Sequence, residues 1–317
     1  MDEPDSMPGL GRSQARQFVA LIVITAATAQ ALGLTLKTPT QIGANDTSRW
    51  CTVWSLLERG TYAIDDCPWQ AKTMDKVFRE APFQELEEGQ KPVEHYYSSK
   101  PPLLPTLIAG VLYPFRAGLG VPLDRMVKQD RSPRWVQKPV EGEPGKTEPV
   151  LETPKEPVEW PAYVFYFKPV VVLLNVVPLW LMLVLYARLL DRIALNDWAW
   201  FFSLFSAALG TLLFAFDSTL NNHTIAATSA FFAIYPFLRI WDDGARSPWY
   251  FAAAGFFAAF CACNELPAAS FGILLFLVLL ARFPAKTLLF FAPAAAIPCA
   301  AFLATQHMAF GQFRPVY

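Results

Sequence analysis

Asp46 and Arg49 stand three residues apart in Asn45-Asp46-Thr47-Ser48-Arg49-Trp50, a spacing that puts both on one face of a helix. Much later in the chain, Lys100 opens the run Lys100-Pro101-Pro102-Leu103. A carboxylate such as Asp46 can take the proton of an attacking hydroxyl. A Lys ammonium is a point charge suited to an oxyanion, so Lys100 can stabilise charge on a departing phosphate. Arg49 can hold the same phosphate or orient the carboxylate. Together they suit transfer of a group away from an anionic leaving group. Each residue also has a plainer reading. Asp46 can cap the helix that begins beside it, Arg49 can pair locally or snorkel to headgroups, and Lys100 can anchor at a membrane interface beside Tyr96 and Tyr97.

The three histidines, His95, His223 and His307, make a divalent metal a further candidate, with Asp46 or Glu265 as carboxylate ligand. Asn222, His223 and Glu265 also read as polar groups at helix ends that either line a substrate cavity or cap, as do His95 and Tyr97 along the polar stretch before Lys100. Asp65-Asp66 and Asp242-Asp243 read as turn or solvated pairs rather than metal-nucleotide sites. Cys51 and Cys67 are close enough in sequence to pair in an oxidising compartment, whereas Cys261, Cys263 and Cys299 lie in apolar runs and read as packing residues.

The elements that must position these groups belong to a membrane. Of 317 residues 54% are hydrophobic and only 17% charged, against about 25% in an ordinary soluble domain. A net charge of -1 offers no basic surplus for nucleic acid. Of the 53 charged residues 39 precede Ala162, which separates an aqueous first half from a lipid-embedded second half. Residues 1–17 read as a cytoplasmic tail and 18–36 as a first span, since this run carries no charge and about 20 apolar residues cross a bilayer. A cleaved signal peptide is the other reading of the same run. Residues 163–305 contain six further apolar runs, at 163–187, 198–216, 223–241, 249–263, 267–281 and 287–305. Residues 306–317 form a tail.

The connectors alternate in charge. Arg188 and Arg192, then Arg239 and Arg246, then Arg282 and Lys286 occupy every second one, while those at 217–222 and 264–267 have no Lys or Arg. The positive-inside rule puts the basic connectors in the cytoplasm. With Arg12 and Arg16 inside, residues 37–162 must all be external. The proline-rich run at 101–120 is then a juxtamembrane or re-entrant helix, covered by protein or lining a cavity. The segment 121–161, with eight prolines and alternating charges, is expected to be an extended, mobile insert. The expected fold is thus an all-α polytopic membrane protein of about seven transmembrane helices, whose long first external loop carries juxtamembrane helices.

With that topology, the two motifs resemble those of membrane glycosyltransferases of the GT-C fold, in the branch of protein O-mannosyltransferases and aminoarabinose transferases (glycosyltransferase family 39-like). In that branch the first external loop opens with an Asp-acidic-x-Arg-aromatic motif, matched by Asp46, Arg49 and Trp50, and later carries Lys/His-Pro-Pro-Leu, matched by residues 100–103. Thr47 and Ser99 stand where the branch often has acidic residues, and an insert at 65–94 lengthens the spacing. The resemblance implies an enzyme moving a sugar from a polyprenyl-phosphate donor to an acceptor hydroxyl on a lipid, glycan or protein. It implies Asp46 as general base, Lys100 and Arg49 on the donor phosphate, and a site facing outward from a bacterial plasma membrane. It further implies that such chains continue through more spans than are present here. A transporter or lipid flippase, or a non-catalytic scaffold of the same fold, are the competing classes. No internal repeat favours the transporter.

Overall fold

The computed structural model describes residues 12–85, 87, 90–129, 134–139, 147–152, 158–244 and 246–315. It is mostly helical, and five helices are long and apolar enough to cross a membrane: Gln14–Lys37, Tyr163–Ile193, Asp197–Phe216, Asn222–Trp241 and Pro284–Phe310.

Helix α1 (Arg12–Lys37) has a small-residue face, Ala27 and Ala31, that lies buried against later helices, while Phe18, Leu21 and Ile22 point outward. Large apolar side chains on an unpacked face suit a hydrocarbon solvent. Helix α2 (Ala44–Glu58) follows within a few residues, then strands β1 (Lys76–Glu80) and β2 (Glu94–Ser98), paired antiparallel with Lys76 opposite Ser98. Helix α3 (Leu103–Leu119) is the expected proline-rich helix, and Gly120 ends it in the left-handed conformation that glycine adopts without strain. Leu104, Ile108 and Leu112 pack on Trp50, Val53 and Trp54 of α2, and Arg116 holds both carboxylate oxygens of Glu58 at 2.8 Å. Burial acts to raise the Glu58 carboxyl, yet Arg116 and the Leu123 amide hold it below its ordinary value. The opposite face of α3, with Leu107, Val111 and Phe115, is exposed and also apolar.

The insert at 121–161 contains strands the sequence reading did not anticipate. β3 (Met126–Gln129) pairs with β6 (Val158–Pro161), and β4 (Arg134–Pro139) with β5 (Thr147–Glu152), giving nested antiparallel pairs. Val136 opposite Val150 and Trp135 opposite Leu151 supply the cross-strand apolar pairs that charged composition alone concealed. Trp135 and Leu151 remain exposed, so the ribbon buries little. Residues 130–133, 140–146 and 153–157 of the insert lie outside the described residues.

The second span combines α4 (Tyr163–Val171), a π-helical turn (Val172–Val176) and α5 (Val177–Ile193). Then come α6 (Asp197–Leu209), α7 (Leu212–Phe216), α8 (Asn222–Trp241), α9 (Pro248–Asn264), α10 (Ala269–Arg282), α11 (Pro284–Lys286), a second π-helical turn (Thr287–Phe291) and α12 (Ala292–Phe310). α1 packs on α5 and α6 through Ile24, Leu179, Leu183 and Leu204. A second core joins α8, α9, α10 and Phe291 through Ile240, Phe251, Ala254 and Leu279. α9 runs so close to the second π-helical turn that a Cβ on Gly255 would come within 2.3 Å of the Phe291 carbonyl oxygen.

The basic connectors meet at one end of this bundle. Arg16 bonds Asp197 at 2.7 Å and approaches Asp191, Arg192 and Arg239 share Asp243, and Lys286 donates to the Arg246 carbonyl.

Candidate functional site

The opposite end gathers most of the polar residues that the sequence singled out. α2 starts at Gly43, whose extended backbone leaves its first amides unpaired, and Asp46 at the third helical position turns back to satisfy them. Its Oδ1 accepts from the Gly43 and Thr47 amides and its Oδ2 from the Ile42 amide, each at 2.8 Å. Asp46 therefore caps α2 from inside the helix rather than from before it. Oδ2, with a single amide on it, is the oxygen with acceptor capacity left.

One turn on, Arg49 is 1% exposed. It donates to the Asn45 side chain and backbone carbonyl and, across to the second half of the chain, to Asn222 Oδ1 at the start of α8. Burial lowers the Arg49 guanidinium to about 10, with Asp75, Glu265 and Asp46 acting in the opposite direction. Asn222 also donates to Glu265 and to the Asn264 carbonyl, and His223 faces the same Glu265. The start of α2 is thus tied through one buried cation to the two connectors of the later spans that carry no Lys or Arg.

A second set of contacts brings in the other motif. Ser48 Oγ donates to the Asp75 carbonyl at 2.5 Å and lies 2.6 Å from Ser98 Oγ, and Ser98 Oγ accepts the Lys100 amide. The Lys100 ammonium pairs with the Asp75 carboxylate at 3.2 Å. The β1–β2 pairing delivers Ser98 and Lys100 to α2, and Asp75 sits one residue before β1. Three carboxylates, two cationic side chains and one imidazole therefore share the start of α2. Asp46 and Arg49 are its buried members, and His223, Asp75, Glu265 and Lys100 are the more exposed ones.

Not every expected residue joins. His95 pairs with Asp65 at 3.2 Å on the far part of β2. Tyr97 is buried in an apolar cluster with Tyr62 and Ala309, and its hydroxyl is raised chiefly by that burial. His307 stacks on Phe313 and meets the edge of Phe83. The histidines occupy three separate places, and among the described residues no group of three or more His, Cys, Asp or Glu is arranged to hold a metal ion. The pairs Asp65-Asp66 and Asp242-Asp243 are engaged elsewhere: Asp65 with His95, Asp66 with Arg59, and Asp243 with Arg192 and Arg239.

Beside the site, where α1 gives way to α2, lies a cavity of about 640 Å³ bordered by Lys37, Gln41, Lys72 and Lys168. It shares Phe165 and Pro169 with an apolar groove of about 480 Å³ that runs along α3 and α4 past Phe115 and Leu173. The Gln41 amide nitrogen is buried with no hydrogen-bond partner among the described residues. Ile42, the next residue, donates to Asp46, so the cavity and the carboxylate are neighbours.

Sequence reasoning missed Asp75, Ser48 and Ser98, and also Asp217. Asp217 is fully buried in the connector before α8, its backbone carbonyl taken by Asn175 Nδ2 at 2.8 Å and by Thr35 Oγ1. Neither of its carboxylate oxygens, nor Asn175 Oδ1, has a partner among the described residues. Burial pushes the Asp217 carboxyl up to about 8. The connector's lack of Lys or Arg was the one available signal. No known family model, curated protein or solved structure matches the chain.

Proposed function

We propose that the chain is a seven-span membrane glycosyltransferase, or the membrane module of one. On this reading residues 37–162 are external, and α9 and α10 are spans although shorter than the other five. The observation that carries it is the convergence of Asp46 and Arg49 with Lys100, groups from two separate sequence motifs, on a site also held by Asn222 and Glu265.

The chemistry follows from the placement. A lipid-borne sugar presents its phosphate at the membrane face, where the cavity lined by Lys37, Lys72 and Lys168 is cationic and the adjoining groove is apolar. A polyprenyl phosphate has that same division between head and chain. Lys100 and Arg49 stabilise charge growing on the leaving phosphate, and Arg49, desolvated, acts without competition from water. Asp46 Oδ2 removes the proton of the acceptor hydroxyl as it attacks the anomeric carbon. Asn222, His223 and Glu265 line the acceptor side.

The test is product analysis by mass spectrometry with defined polyprenyl-phosphate sugars and the purified chain in lipid nanodiscs. Sugar transfer that is lost in Asp46→Asn is expected. Transport of the lipid without transfer, unaffected by that substitution, would overturn the assignment.

A further inference from the structure

Only two of the five cysteines lie in residues 37–162, and the fold brings them together. Cys51 is on α2, two residues past Arg49, and Cys67 is in the turn that follows Ile64, where its amide bonds the Ile64 carbonyl at 3.1 Å. Both are free thiols, buried, in one apolar core with Trp50, Ile64, Trp69 and Phe167. Within that core Cys67 lies near enough to act on the Cys51 thiol. That core offers no third ligand for a metal among the described residues.

We propose that Cys51 and Cys67 form a structural disulfide that staples the site-bearing helix to the turn beneath it. This rests on the external placement of residues 37–162 and not on sugar transfer. Two thiols that neighbour each other in one buried core need little backbone movement to bond, and thiols on the outer face of a membrane meet oxidising conditions. The oxidant is an organic disulfide, RSSR, of that compartment. The Cys67 thiolate attacks one of its sulfurs, releasing RSH, and the Cys51 thiolate then attacks Cys67 Sγ, releasing the second. The balance is two protein thiols and one RSSR giving one protein disulfide and two RSH. The contact with Cys67, and after it burial, hold the Cys51 thiol far above its ordinary value, so exchange precedes final packing of α2.

The location gives the bond a consequence. Cys51 travels with Asp46 and Arg49. Cys67 travels with Asp65, which binds His95 and accepts the Tyr96 amide of β2, the strand that leads to Ser98 and Lys100. The cross-link therefore couples the segments that carry the two motifs.

The test blocks thiols with N-ethylmaleimide in hot SDS on whole membranes, before any reductant, and maps the label by peptide mass spectrometry. A cross-linked Cys51–Cys67 peptide without label is expected, with label on both only after reduction, while Cys261, Cys263 and Cys299 take label throughout. Full labelling of Cys51 and Cys67 without reduction overturns the disulfide. In a separate sample, Gly145→Cys is probed with a membrane-impermeant maleimide on intact cells. Labelling at 145 together with free Cys51 and Cys67 sinks the disulfide alone, whereas labelling only after permeabilisation sinks the external placement. A reductant should lower the temperature of thermal aggregation of the wild type and leave Cys67→Ala unmoved. An equal drop in both would assign the effect to some other thiol chemistry and count against the bond.

Discussion

The two ends of the helix bundle treat charge in opposite ways. At the basic end, Arg16 meets Asp197, and Arg192 and Arg239 meet Asp243, in pairs with exposed members: the Asp197 side chain is 62% exposed. Such pairs hold orientation and add little stability, because water competes for both partners. At the other end Arg49 is 1% exposed and faces Asp75, Glu265 and Asp46. Burying a charge there costs several kcal/mol that the surrounding hydrogen bonds must offset. The contrast teaches that a charge is buried at the end where the candidate chemistry lies and left exposed at the other, and substitutions at the two ends measure that difference.

The largest effect is expected at Arg49. Arg49→Ala leaves the Asn45 and Asn222 side chains without their shared donor and three carboxylates without a neighbouring cation, so it should cost about 3–5 kcal/mol and lower the thermal aggregation temperature sharply. Arg49→Lys keeps the charge yet cannot reach Asn45 and Asn222 together, and should fall between. A melting profile for Arg49→Ala matching the wild type would break the comparison.

Next in size are Asp46 and Lys100, which should fail in different ways. If the chain transfers sugar as proposed, Asp46→Asn retains Oδ1 for the α2 amides but removes the base, so turnover should fall by about 10²-fold or more with donor affinity little changed. On the same reading Lys100→Ala removes a cation that would face the ground-state phosphate, so donor KM should rise as turnover falls. Equal losses of both parameters in the two variants would return Asp46 to a purely structural cap.

How much of this was legible in the sequence differs between span and site. The run at 223–241 is the helix Asn222–Trp241 to within one residue, because uncharged length is itself the requirement for crossing a membrane. The run at 163–187 stops short of Ile193 because Arg188, Asp191 and Arg192 mark the edge of the apolar layer, not the end of the helix, and the helix continues through them. At the site, Asp46, Arg49, Lys100, Asn222 and Glu265 were visible by type and side. Asp75 was not, since its partner lies across a β pairing that a charged, proline-interrupted stretch does not announce. The ribbon in the insert was hidden for the same reason. His95 shows the reverse error: its residue type suggested a metal ligand, and its position on β2 gives it to Asp65.

A moderate effect should come from Asp217, a buried carboxyl at the same end whose oxygens have no partner among the described residues. Its carboxyl, raised by burial to about 8 from 3.8, stays protonated in the folded chain where the unfolded chain has released its proton. The folded state then binds more protons between those values, so stability falls as pH rises from about 4 to about 8. Lys168, held by the Thr35 and Thr38 carbonyls, makes no ion pair that would reverse this sign among the described residues. Asp217→Asn keeps the shape without the titration. Its thermal stability should exceed that of the wild type at pH 8.5, match it only below about pH 4, and show a flatter slope between. Parallel slopes for the two proteins would mean that Asp217 is paired after all.

The smallest effect belongs to the basic end. Asp197→Asn removes the carboxylate that Arg16 bonds through both Nε and Nη2. Arg16 keeps Asp191 within 3.7 Å and lies over the Trp200 ring, so its charge and its aliphatic stem retain neighbours. The loss should be at most about 1 kcal/mol and should shrink further in 0.5 M salt, as exposed pairs do. Sugar transfer, if the chain performs it, should be unaffected, because nothing in this pair reaches α2. A loss as large as that of Arg49→Ala would show that the basic end is also a place where charge is buried at cost, and the asymmetry between the two ends would disappear.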